Sequence, residues 1–91
     1  MIKQAQDSHQ TYNNTIRLIS LMRTKEREVA ELVGREGICE IPALAEKLVV
    51  SPKTIENYKD RIKQKARLVF GRNLSWVELV RQFTLYYHKL I

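Results

Sequence analysis

Cys39 is the only cysteine among 91 residues, which excludes an intrachain disulfide and any multi-cysteine zinc site. Such sparing thiol use suits a reducing, cytoplasmic setting. The two histidines, His9 and His88, stand far apart without carboxylate or cysteine company, so no metal-ligand pattern forms around either. Glycine is scarce, and the three present build no phosphate-cradling loop. No nucleophile stands beside a base at a catalytic spacing, so the chain is expected to be no enzyme and to need no cofactor. No apolar run approaches transmembrane length, and Met1 to Asp7 carry no signal-peptide core; a membrane partner is not expected. Strand-like alternation, low-complexity tracts and internal repeats are also missing. With 44% hydrophobic residues, the chain can close one small core.

What remains is a helical, basic protein. Lys and Arg outnumber Asp and Glu by 16 to 10, a net charge of +6 that favours an anionic partner, either nucleic acid or an acidic surface. Tyr12, Ile16, Ile19 and Met22 recur at helical spacing and predict a first helix over 9–22, after a polar stretch over 1–8. Thr24 is placed to cap a second helix whose inner face carries Val29, Leu32 and Val33, with Gly34 and Gly37 near its end. Pro42 suits the first position of a short third helix carrying Ile41, Leu44, Ala45 and Leu48.

The next boundary is the sharpest in the chain. Ser51 is a preferred N-cap, Pro52 fits the first helical position because its missing N–H would be unsatisfied anyway, and Val50 can staple against Ile55. Residues 49–51 form the turn before a fourth helix over 52–67, with Ile55, Tyr58, Ile62 and Ala66 facing inward. Opposite them lie Lys53, Asn57, Asp60 and Gln64, flanked by Glu56, Arg61, Lys63 and Arg67. Six basic residues (Lys53, Lys59, Arg61, Lys63, Lys65, Arg67) oppose Glu56 and Asp60 between Ser51 and Arg67. A short helix, a three-residue turn and a basic helix read as a DNA-binding helix-turn-helix. The major groove admits one helix, cations neutralise its phosphates, and short polar side chains such as Asn read base edges. After a loop over 68–74, Ser75 and Glu78 have the spacing of a capping box opening a last helix that reaches the C-terminus. The fold class is therefore all-α, a tetrahelical helix-turn-helix bundle with an additional N-terminal helix.

Lys25 to Val33, Glu36-Gly37, Leu44 to Leu48 and Ser51 to Tyr58 together resemble the LuxR/GerE-type (NarL/FixJ-like) helix-turn-helix domain of bacterial transcription regulators, over residues 22–83. The resemblance implies a DNA-binding domain over 23–91, with 1–22 a linker or extension helix. It also implies double-stranded DNA as partner and dimerisation on paired half-sites, hence a place at the cytoplasmic nucleoid. It carries the groove-entering role onto 52–67, with Lys53 and Thr54 near phosphates and Glu56, Asn57 and Asp60 near bases; Tyr58, Arg61, Lys63 and Gln64 complete the expected contact set.

The chain departs from the family pattern at Met22-Arg23-Thr24, in a longer loop over 38–42, and at Glu56, where a basic residue is usual. Glu56 either accepts from cytosine N4 or, with Asp60, turns this face toward protein. Family practice puts the dimer interface on the last helix, implying Trp76, Val80, Phe83, Thr84, Tyr87 and Ile91 as its residues. The alternative is that the N-terminal helix covers this surface through Tyr12, Ile16 and Ile19. Two functional rivals stay open: a protein-interaction module, and a sigma region-four-like module with RNA polymerase as a further partner. No small-molecule ligand is expected in this chain. Cys39 reads as a half-buried thiol without a role.

Overall fold

Five helices make up the residues that the computed structural model describes, 2–88, with side chains described from Tyr12 to His88. They are α1 (Ile2–Leu21), α2 (Thr24–Glu36), α3 (Ile41–Leu48), α4 (Pro52–Phe70) and α5 (Trp76–His88). No strand occurs among the described residues, as the absence of period-two alternation predicts. No helix among them is long and apolar enough to cross a membrane.

Local chemistry sets most boundaries. Ser51 Oγ accepts the Thr54 N–H at 3.2 Å, which closes the first turn of α4. Val50 and Ile55 join the same apolar cluster, as a hydrophobic staple requires. The α5 box is reciprocal: the Ser75 N–H donates to Glu78 Oε1 and the Glu78 N–H to Ser75 Oγ, each at 3.2 Å. Gly37 and Gly71 end α2 and α4 in the left-handed region, at φ 72° and 73°, where a Cβ would be strained. Val49 ends α3 in the same region at φ 56°, an uncommon position for a β-branched residue.

Several expectations shift. Helix α1 begins at Ile2 rather than residue 9 and ends at Leu21; Asn14, Thr15 and Leu18 form its buried stripe, continued by Met22 just past its end. Ile16 is 41% exposed instead of inward, because polar Thr15 occupies the contact with α5, its hydroxyl donating to Gln82 Oε1 at 3.4 Å. The cap of α2 is one residue earlier than Thr24. Arg23 is the N-cap residue, and Glu26 at the third position accepts the Arg23 N–H at 3.2 Å. Gly34 is no terminator: it lies within α2, buried against the Phe83 carbonyl and the Tyr87 ring of α5. Helix α4 continues through residues 68–70, within the loop expected over 68–74, until Gly71 stops it.

One core unites all five helices. Leu18 of α1 and Met22 just after it meet Val29, Ala30 and Val33 of α2, Leu44 of α3, Ile55, Ile62 and Ala66 of α4, and Leu79 and Phe83 of α5. Each fully buried large apolar side chain contributes roughly 1.5–3 kcal/mol relative to exposure. The C-terminal part of α1 is thus built into the bundle. For the site, the consequence is that α4 is held from beneath by α1, α2 and α3, leaving its far side outward.

Candidate nucleic-acid interface

The outward side of α4 starts from the alternation of its own residues. Ile55, Ile62 and Ala66 are fully buried, so the positions about half a turn away must face solvent. Lys53, Glu56, Asn57, Asp60, Arg61, Lys63 and Gln64 are all exposed, as is Arg67. Among the described residues, no ion pair engages Lys53, Arg61, Lys63, Arg67, Glu56 or Asp60. This row therefore presents free cations, free carboxylates and the two amides of Asn57 and Gln64 side by side.

The two remaining members of the expected contact set are partly turned inward. Tyr58 is half-buried and packs against the core, while the half-buried Thr54 hydroxyl lies 2.9 Å from Ser51 Oγ within the cap. Lys65, counted among the basic residues of the helix, is diverted altogether. Its ammonium pairs with Glu26 of α2, whose side chain is only 1% exposed, and neutralises a charge that would otherwise be buried alone. Lys65 is a fold residue rather than a surface cation.

The structure adds neighbours that sequence reading did not place at the site. Lys53, Glu56, Asn57, Lys59, Asp60 and Lys63 line an open cleft of about 270 Å³ together with Ile41 from the start of α3 and Trp76 from the start of α5. The Lys59 ammonium sits 4.6 Å from the Trp76 ring centroid, a cation–π contact that fixes the lysine along this cleft. The seventeen-residue separation of Lys59 and Trp76 gives no local signal for that pairing.

Beyond α4, the expected dimer residues on α5 divide. Phe83 is 0% exposed and enclosed in the chain's own core, so it is corrected from an interface residue to a core residue. Trp76, Val80 and Tyr87 are half-buried against that same core. The Thr84 hydroxyl donates to the Val80 carbonyl at 2.8 Å, and Ile91 lies outside the described residues. Helix α2 packs on α5 at Gly34, and α1 packs on it through the Tyr12–Tyr86 ring pair at 6.3 Å. The apolar surplus of α5 is largely absorbed within one chain.

Electrostatic detail elsewhere is structural. The Ser75 N–H, then the Arg72 guanidinium at 3.1 Å, hold the Glu78 carboxyl below its ordinary range. Burial pushes the Tyr87 phenol up. Cys39 is half-buried, its thiol 3.6 Å from the Gly37 carbonyl. No group of three metal-ligating side chains occurs among the described residues.

Comparison with known proteins adds no relative: no family model matches the sequence, and neither curated proteins nor solved structures yield a match.

Proposed function

We propose that this chain is a sequence-selective, double-stranded DNA-binding module of a bacterial transcription regulator, working as a dimer in the cytoplasm with α4 in the major groove. The observation that carries the reading is the outward row Lys53, Asn57, Asp60 and Gln64, unobstructed by the chain itself and backed by a fully buried Ile55–Ile62–Ala66 face. A groove-entering helix needs both properties, a free polar side and a fixed apolar one. The order of short helix α3, turn and α4, packed on each other, supports a helix-turn-helix reading, and the LuxR/GerE-type resemblance rests on the same residues. Lys53, Arg61, Lys63 and Arg67 supply phosphate contacts, Asn57 is suited to a bidentate pair with adenine, and Glu56 to accepting from cytosine N4.

Glu56 and Asp60 also support a second reading, in which this face docks on a basic protein. Selection of bound duplexes from a random pool separates the two. The DNA reading expects an enriched motif, with Asn57→Ala losing discrimination at one base position and Lys63→Ala weakening all sequences alike. Failure to enrich any motif, or both variants binding as the parent does, overturns it.

A further inference from the structure

Glu56, Lys59 and Trp76 line the same cleft, and the way two of them are engaged leaves the third free. On a helix surface an acid and a base three residues apart are neighbours, and the order with the acid first is the favoured one. Lys59 is therefore the natural partner of Glu56, ahead of Lys53, which precedes it. No ion pair forms. Among the described residues none engages Glu56 or Lys59, and the Lys59 ammonium stands over the Trp76 ring instead, 4.6 Å from its centroid.

Trp76 is suited to that contact and to no other polar one. Its Nε1 is buried without a hydrogen-bond partner, so the indole gives the fold apolar packing but no polar bond. A leucine packs as well; what the indole adds is a π face that attracts a cation. Lys59 occupies that face. The ring's backbone is held in turn by the reciprocal bonds of Ser75 and Glu78, which close the first turn of α5 immediately around Trp76. Lys59 is accordingly half-buried, while Glu56 stays exposed.

The consequence rests on the proposed placement of α4 in the major groove. A carboxylate reads cytosine by accepting from its N4, which an ion-paired carboxylate does poorly, and a lysine at the same place favours guanine, whose O6 and N7 accept. We propose that Trp76 is a specificity-determining residue of this chain: by holding the Lys59 ammonium on its ring, it keeps the Glu56 carboxylate free to accept from a base. Trp76 itself touches no base. It is a positioning residue, acting through Lys59 on Glu56.

Base preference on duplexes selected from a random pool tests this, with the melting temperature of each variant as the control for folding. Glu56→Gln should lower preference at one base position. Trp76→Leu should lower preference at that same position by roughly twofold or more, since a surface pair of this spacing holds its partners together about that well. Trp76→Phe, which keeps a ring, should lose less. Lys59→Met combined with Trp76→Leu should restore the preference, because no cation is left to occupy Glu56; a merely structural role for Trp76 predicts no such rescue. Nuclear magnetic resonance of the DNA-free chain reads the contact alone: the Lys59 side-chain methylene protons should be displaced upfield by the indole ring current in the parent, and return to ordinary positions in Trp76→Leu. Undisplaced protons in the parent, a motif indifferent to Glu56→Gln, or a Trp76→Leu loss that is equal for all sequences or not rescued by Lys59→Met overturns this inference while leaving DNA binding intact. A parent that enriches no motif overturns both.

Discussion

Replacing Gly34 by alanine sets two opposing effects against each other, and the structure decides between them. In an exposed helix interior, alanine is worth about 1 kcal/mol more than glycine. At Gly34 a Cβ would stand 2.5 Å from the Phe83 carbonyl oxygen, 2.7 Å from its carbon and 2.7 Å from Tyr87 Cδ2, where ordinary contact begins near 3.4 Å. Two of those three atoms are backbone and cannot swing aside, so α2 and α5 must separate by roughly 0.9 Å to restore ordinary contact. Overpacking of this kind costs about 1–3 kcal/mol, and the rigid backbone places the cost at or above the upper end. The net expectation is destabilisation by about 2 kcal/mol, equivalent to a fall of about 8–16 °C in melting temperature for a domain of this size. Thermal and urea unfolding followed by circular dichroism measure it. A Gly34→Ala variant more stable than the parent by the full propensity gain would contradict so close an approach of α2 and α5.

Other perturbations follow the same reasoning. Val49→Gly removes a β-branched residue from the left-handed region at a position 88% exposed, and should raise stability by about 1 kcal/mol; a loss on urea unfolding would contradict the strain argument. Lys65→Met strands the buried Glu26 carboxylate and should cost about 3 kcal/mol, whereas Lys65→Met with Glu26→Met should recover most of that stability. Equal losses in both variants would mean the pair is not coupled. Glu78 has a lowered folded pKa, so its contribution is present above its ordinary carboxyl pKa and disappears as pH falls through the depressed value. Glu78→Gln should accordingly flatten part of the acid limb of stability against pH, and an unchanged limb would remove Glu78 from the account.

How much of this was legible in the sequence depended on the range of the interaction. Ser51-Pro52 and Ser75 with Glu78 announced the starts of α4 and α5 because a cap is completed within four residues. The outward row of α4 was equally readable, since helical period alone separates Lys53, Asn57 and Gln64 from Ile55 and Ile62. Distant partners were not. Nothing near Lys65 names Glu26, nothing near Lys59 names Trp76, and Gly34 gives the same letter whether it stops a helix or admits a neighbouring backbone. The inner face of α1 is illegible for a related reason: Thr15 is buried because Gln82 answers its hydroxyl, and apolar Ile16 is left outside.

The central claim is that α4 meets duplex DNA through its unpaired outward cations. Affinity of the parent for a single selected half-site, measured by fluorescence anisotropy across a salt series, tests it most directly. With Lys53, Arg61, Lys63 and Arg67 each releasing a counterion, log K should fall linearly with log salt at a slope of about −3 to −4. It should become shallower by about one on Lys63→Ala and stay unchanged on Lys53-sparing controls away from α4 such as Lys25→Ala. A slope near zero, or one indifferent to Lys63, would contradict the placement of this helix on DNA.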